Sequence, residues 1–266
     1  MQVYGGKLAY HARRGGVYYI VYDGKELGAE ENLTLYATGG ELAYIERRAD
    51  GEYAVYNGME IKAAPDYKIS GILALDGKPV LYVVNQTKKQ NGSVMRDEKN
   101  YYLIYDGKEI GKEHDDVYDC SIVNDMIAYT AVDKGKYYVV YDGQEIGKEY
   151  DVASIPAEIG GKFTYVAGIN GNYFVIRDGR QVGGEYKEFN PGKPFIKMIN
   201  GRVVYGAARN NTFFFVYDGK EIGVGYPLSN LGGVDLYTTL YTTLEGKPFF
   251  VARNSKGDKY YVVREK

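Results

Sequence analysis

Carboxylates are the first residues of this chain whose type could support chemistry. Glu113 with Asp151 or Glu185 would supply the acid and base of a glycan hydrolase or lyase, were folding to bring two of them together. Their spacing singles out no pair. Asp115, Asp116 and Asp119 form an acidic cluster without the spaced oxygens and turn Gly of a calcium loop, so a solvated loop edge is expected there. His11 and His114 are the two histidines and Cys120 the one cysteine. Zinc needs three or four ligands, and no His-x-x-x-His pair exists, so no metal or other cofactor is expected. A lone Cys also excludes an internal disulfide, and Cys120 is expected at a buried inner-strand position. Gly107 to Lys112 has the wrong spacing for a phosphate-binding loop and no Ser or Thr after Lys112. No Ser sits in a Gly-x-Ser-x-Gly elbow.

What must position these residues is a repeat. Tyr-Asp-Gly-Lys-Glu-hydrophobic-Gly occurs at Tyr22 to Gly28, Tyr105 to Gly111 and Tyr217 to Gly223, with near-copies at Tyr56 to Lys62, Tyr141 to Gly147 and Arg177 to Gly183. The turn glycines Gly24, Gly58, Gly107, Gly143, Gly179 and Gly219 are 34 to 49 residues apart, a period of propellers, solenoids or arrays. Asp-Gly between β-rich runs marks a type I′ hairpin, which needs positive φ at both turn residues. Tyr137 to Tyr141 and Phe213 to Tyr217 are continuous apolar runs, as in strands covered on both faces. The composition agrees: 30 Tyr, nine Phe, no Trp and 35 Gly in 266 residues describe aromatic strands joined by Gly turns.

The spacing predicts an all-β chain, a seven-bladed β-propeller of four-stranded antiparallel blades in one domain over 1–266. Second strands begin at Leu8, Leu42, Val80, Ile127, Phe163, Val203 and Phe249. The blades run over 1–31, 32–65, 66–115, 116–151, 152–186, 187–226 and 227–266. Val3-Tyr4-Gly5-Gly6 matches Ala37-Thr38-Gly39-Gly40, so the first residues open blade one and the last blade is expected to lack its outer strand. Third-strand Tyr22, Tyr56, Tyr105, Tyr141 and Tyr217 are expected to be largely buried, with bonded hydroxyls.

The pattern hydrophobic-Ala-Tyr, polar turn, Tyr-hydrophobic-Val-Tyr, Asp-Gly resembles the TolB-type, WD-like β-propeller repeat. Leu42-Ala43-Tyr44 with Tyr53 to Gly58 shows it, as does Ile127-Ala128-Tyr129 with Tyr138 to Gly143. The likeness spans nearly the whole chain, but the Ser-Pro-Asp-Gly turn before the second strand and the Trp-Asp dipeptide are absent. It implies a propeller with a binding or scaffolding role and transfers no catalytic residue.

Connections between second and third strands, at 13–16, 47–52, 85–99, 133–136, 168–172, 208–212 and 253–259, hold 14 Lys or Arg against 6 Asp or Glu. Those from fourth to first strands, at 28–32, 62–68, 111–119, 147–158, 183–194 and 223–235, hold 6 against 13. These connections are expected to be the long, variable loops of one face, with an acidic channel mouth inside a basic ring. Ligand contacts are therefore expected from Arg13, Arg47, Arg48, Arg209 and Arg253, and from Glu113, Asp115, Glu149 and Asp151. The longest decoration, 85–99, ranks first. The expected function is a non-enzymatic binding module for a protein segment or small polar ligand, with a carboxylate glycan hydrolase or lyase as the alternative. A net charge of −2 gives no reason to expect nucleic-acid or membrane-surface binding, and no apolar run could span a bilayer. A monomer is expected. Met-Gln-Val-Tyr carries no signal pattern, and the compartment is left open.

Overall fold

The computed structural model describes residues 2–29, 33–38, 40–91, 94–187, 196–210, 212–227, 239–244, 247–253 and 260–264. Every regular element among them is a strand. In chain order they are β1 (Gln2–Tyr4), β2 (Lys7–Arg14), β3 (Val17–Tyr22), β4 (Lys25–Ala29), β5 (Leu33–Thr38), β6 (Glu41–Arg48), β7 (Gly51–Tyr56) and β8 (Met59–Lys62). There follow β9 (Tyr67–Leu75), β10 (Lys78–Asn91), β11 (Val94–Tyr105), β12 (Lys108–His114), β13 (Asp116–Val123), β14 (Met126–Asp133), β15 (Lys136–Tyr141) and β16 (Gln144–Tyr150). The rest are β17 (Val152–Ala153), β18 (Ala157–Glu158), β19 (Phe163–Ile169), β20 (Asn172–Arg177), β21 (Arg180–Tyr186), β22 (Ile196–Ile199), β23 (Arg202–Arg209), β24 (Thr212–Tyr217), β25 (Lys220–Pro227), β26 (Thr239–Leu244), β27 (Lys247–Arg253) and β28 (Tyr260–Arg264).

Consecutive strands pair into antiparallel meanders, most of them four-stranded. Sheets run β1–β4, β5–β8, β9–β12, β13–β16, then β17-β19-β20-β21 with β18 also on β19, then β22–β25, and last β26–β28. The N-terminal strand joins the first of these, with Gln2 opposite Ala9 and Tyr4 opposite Lys7, as the sequence match predicts. Two compact units divide the chain. One is Met1–Val117 with Ala131–Lys134 and Asp142–Gln144, holding the first three sheets. The other is Tyr118–Thr130, Gly135–Tyr141 and Glu145–Lys266, holding the last three, and the fourth sheet is divided between them.

Within each unit the sheets pack face to face, which explains the apolar runs. Strand β19 is buried at every position from Phe163 to Gly168. Its Tyr165 and Ala167 join Val123, Ala128 and Val139 of the fourth sheet, while Val166 between them joins Tyr205, Ala207 and Val216 of the sixth. Successive side chains point to opposite faces, and both faces are covered. In the other unit Ala43, Ile45, Ala54 and Tyr56 of the second sheet pack with Ile69, Leu81, Val83 and Ile104 of the third.

The repeated heptad now has a physical reading. Asp23, Asn57, Asp106, Asp142, Asp178 and Asp218 all have φ of 47 to 50°, and each precedes a glycine with φ of 73 to 80°, such as Gly24, Gly58 and Gly219. These are the I′ turns that the sequence predicts. In four sheets the turn carboxylate faces a cation at the start of the second strand: Lys7–Asp23 at 3.2 Å, Lys78–Asp106 at 3.1 Å, Lys162–Asp178 at 2.8 Å and Arg202–Asp218 at 3.7 Å. Lys7, Lys78 and Arg202 also lie over the rings of Tyr22, Tyr105 and Tyr217. The third-strand tyrosines are therefore less enclosed than expected. Tyr56 and Tyr217 are buried, but Tyr22, Tyr105 and Tyr141 are half-buried, with a sheet end and a lysine stem as cover where one is present. Tyr22 and Tyr141 donate their hydroxyls across the sheet to the Tyr4 and Val123 carbonyls, both at 3.2 Å.

The second glycine of the heptad marks a bulge in the fourth strand, where the neighbouring sheet approaches. Register shifts between Tyr173 and Val175 opposite β21, and Gly183 there has φ of 86°. Above it lies Tyr205 of β23, whose hydroxyl donates to the Val182 carbonyl at 2.7 Å. Turn glycine Gly219 of the sixth sheet abuts the same spot, with its missing Cβ only 3.0 Å from Gly183 N. Gly143 stands against Gly111 in the same way, at 2.9 Å. Both glycines of the motif thus serve one junction between consecutive sheets.

Expectations about loops need correction. Residues 85–91 and 94–99 are strand rather than loop, since β10 and β11 continue their ladder from Asn85 opposite Asn100 to Asn91 opposite Val94. Nor are most other connections between second and third strands long. Gly15-Gly16, Ala49-Asp50, Lys134-Gly135 and Asn170-Gly171 are two-residue links. Polar residues at the exposed strand ends read as loop, although backbone pairing does not depend on side-chain polarity. Asp116 and Asp119 likewise lie within β13 rather than on a loop edge, and Cys120 is half-buried rather than buried.

Candidate functional site

The second and third sheets form a cleft of about 670 Å³ at the end where β6 turns into β7. Arg47, Arg48, Ala49, Gly51 and Glu52 line it from that hairpin, and Asp66, Tyr67, Lys68 and Asn85 from β9, its approach and β10. Strand β9 enters from the Ala64–Tyr67 turn, where the Tyr67 amide donates to the Ala64 carbonyl at 3.1 Å. Asp66 takes the left-handed conformation in that turn, with φ of 70°.

Glu52 anchors the cleft floor. Only 8% of the residue is exposed. Its Oε2 accepts the Ile69 amide at 2.8 Å, and its Oε1 accepts both Nε and Nη2 of Arg47, at 3.2 and 3.1 Å. Three donors thus converge on this enclosed carboxylate, which satisfies the polar atoms that burial removes from water. Arg47 spends one edge on this bond, while its side chain stays 65% exposed at the cleft.

Arg48 is engaged differently. It bridges Glu46 at 2.6 Å and Glu60 at 2.7 Å and lies 4.1 Å above the Tyr53 ring. Hydrogen bonds from Arg48, first to Glu60 and then to Glu46, raise its guanidinium further above the ordinary range. Asp50 beside it accepts from Lys62 at 2.6 Å and from Tyr53 at 2.7 Å, and those bonds, Lys62 first, lower it to about 2. At the far wall the Tyr67 hydroxyl donates to Glu113, which raises the phenol above its usual range. The Tyr67 ring stands edge-on to Tyr102, 5.2 Å between centroids.

Among the residues predicted to bind, the structure thus brings Arg47 and Arg48 to one cleft, while Glu113 is bonded to the Tyr67 of its wall. Others serve the scaffold. Asp115 accepts the Lys134 amide at 2.6 Å and donates its own amide to Asp133 at 3.1 Å, pinning the β14–β15 turn. Asp151 does the same for the next sheet, taking the Asn170 amide at 2.7 Å, and also pairs with Lys136 at 2.6 Å. Lys136 first, and then that amide, hold its carboxyl below the usual range. Glu149 accepts the Tyr138 hydroxyl at 3.0 Å. Arg209 pairs with Glu221 at 2.9 Å over the Tyr186 and Phe214 rings, and Arg13 sits 5.2 Å over Tyr18. Arg253 belongs to β27 opposite Tyr260, and its side chain lies outside the described residues.

Sequence reasoning did not mark Glu52 as buried, nor His114, whose Nδ1 lies 3.0 Å from Asp133 Oδ2. No local signal identifies Glu52. Its burial comes from Ile69 in the next sheet. A second cleft of about 510 Å³ lies between the first and second sheets at the Asp-Gly end, where Gly5, Asn57 and Gly58 line it. Its Lys7 is already paired with Asp23.

No protein-family profile matches the chain, and no curated protein does. Among solved structures it is similar to the Pyrococcus horikoshii acylaminoacyl peptidase, at 11% identity and a TM-score of 0.34, over 97% of this chain and 48% of the peptidase. The chain therefore spans about half of that protein. It is also similar to apo AztD from Citrobacter koseri (10% identity, TM-score 0.35, 98% and 95% covered) and to a protein of unknown function from Bacteroides caccae (12% identity, TM-score 0.29, 88% and 93% covered).

Proposed function

We propose that the chain is a non-enzymatic binding module of the TolB-type, WD-like kind. In this reading it is a monomeric seven-bladed β-propeller that holds a protein segment or small polar ligand in the cleft between its second and third blades. Support for the blades comes from the repeated heptad and from the meanders that each pack face to face on the next within a unit. The observation that carries the binding role is the cleft itself. Arg47, Lys68, Asp66, Tyr67 and Asn85 converge there on a floor fixed by Glu52, so polar groups are positioned by rigid strands. Less stands behind the hydrolase alternative. A general acid needs a raised pKa, whereas Asp151 is held low by Lys136, and Glu113 already accepts from Tyr67.

The test is a thermal-shift screen of polar metabolites and short peptides, repeated on Ala49→Trp, which fills the cleft mouth without removing a polar group. A hit on the parent protein should be lost in that variant. Hits that persist would put the site elsewhere, and turnover of a glycan would replace binding with hydrolysis.

A further inference from the structure

Arg47 and Arg48 are adjacent in sequence, line the same cleft and differ in what they have left to offer. Arg48 meets two carboxylates, Glu46 through Nε and Nη2 and Glu60 through Nη1 and Nη2, so both edges of its fork are occupied. Among the described residues Arg47 meets one carboxylate oxygen, through Nε and Nη2. The outer edge of its guanidinium, Nη1 with the second hydrogen of Nη2, stays open at the cleft. A guanidinium presents five donors in a fixed plane, and such an edge matches the two oxygens of a carboxylate. Glu52 fixes the plane from behind, because its other oxygen is tied to the Ile69 backbone. An arginine held this way loses little freedom on binding.

We infer that Arg47 binds a carboxylate group of the ligand in two-toothed fashion, and that the ligand carries a single negative charge on a polar body. This rests on the binding-module reading above. Glu52 offsets Arg47 on the floor, Glu46 and Glu60 offset Arg48, and exposed Asp66 stands beside exposed Lys68. These carboxylates leave the site no excess of cations with which to hold a dianion, whereas a single carboxylate is met by the open edge of Arg47. The other walls offer Asn85, Lys68 and Asp66, donors and acceptors suited to hydroxyls or amides. A sugar acid and an N-acylated amino acid share this chemistry.

The experiment measures binding by calorimetry at low salt with D-glucuronate and N-acetyl-L-alanine as probes. Their methyl esters and inorganic phosphate are the controls, on the parent protein, Arg47→Lys and Ala49→Trp. Arg47→Lys keeps a cation beside Glu52, so the fold is retained, but it removes the paired donors. At least one acid should bind, its ester should not, and Arg47→Lys should weaken it by about ten- to hundredfold, the worth of one charge-assisted hydrogen bond. Which acid binds separates the sugar source from the amino-acid source. Equal binding of acid and ester, indifference to Arg47→Lys, preference for phosphate or failure of both acids would overturn the inference. If other ligands from the screen are still lost in Ala49→Trp, the binding-module reading survives that result. If Ala49→Trp changes nothing for any ligand, that reading falls as well.

Discussion

Changing Gly183 to Ala tests the account of the heptad most directly. With φ of 86°, Gly183 occupies a conformation that costs an L side chain about 1–2 kcal/mol. An added methyl would also collide with the Tyr205 hydroxyl, with Tyr205 Cζ at 3.3 Å and Gly219 Cα at 3.4 Å, so only the hydroxyl is removable. Overpacking of this kind costs about 1–3 kcal/mol, for a combined loss of roughly 2–5 kcal/mol. Tyr205→Phe removes the hydroxyl and leaves the Val182 carbonyl without that donor, a loss of roughly 1–3 kcal/mol. If the two residues meet as described, the Tyr205→Phe change relieves part of the collision. The double variant should then be more stable than the sum of the singles by about 1–3 kcal/mol. The chain has no Trp, so urea unfolding is best followed by far-UV circular dichroism. Losses that add within about 0.5 kcal/mol would show that the hydroxyl and the bulge do not touch, and the explanation of the second glycine would fail.

Alkali should unfold the protein at an unusually sharp onset. Burial, the largest influence in each case, raises the phenols of Tyr165, Tyr186 and Tyr205, and Tyr186 reaches about 12. The folded state holds these protons more tightly than the unfolded chain, so the stability they contribute is constant below about pH 10 and is lost as pH rises above it. Absorbance at the phenolate band should rise together with loss of the dichroism signal; full ionisation of all tyrosines with the fold intact would contradict the burial. At the turns, φ should matter more than charge. Asp106→Asn should leave the urea midpoint nearly unchanged, because Asn tolerates φ of 50° and the Lys78 pair is exposed. Asp106→Val should cost roughly 1–2 kcal/mol, and an equal effect of both changes would favour the ion pair instead.

Turns were the most legible part of the fold, because Asp-Gly and Asn-Gly need no tertiary context to take positive φ. Strand pairs such as β15–β16, joined by Asp142-Gly143, followed from them. What failed was the distinction between a loop and a polar strand end. Arg13, Arg14 and Asn85 are polar residues at or beyond the end of an apolar run, yet their backbones stay in register with Tyr18, Val17 and Asn100. At the candidate site, Arg47 and Arg48 were visible as exposed cations, but their different engagement was not. It depends on Glu46, Glu60 and Glu52, three carboxylates whose placement follows from strand register and from a backbone amide in the next sheet. Asp115 and Asp151 were misleading for the opposite reason. Their acidity suggested a ligand, while their position one link before a sheet makes them staples for its turn.

The contact of Gly183 with Tyr205 has a polarity that bears on how such a chain could lengthen or shorten. A fourth strand contributes the vacancy and the following sheet contributes the hydroxyl, so the joint works in one chain direction only. A unit excised between Tyr186 and Ile196 would keep its socket and lose its plug. Gene duplication in frame would regenerate both halves at the new seam, and so would exchanging the order of two units, whereas a cut inside a unit would part its plug from its socket. Recombination along this sequence is therefore tolerant of copy number and order and intolerant of seams within a unit.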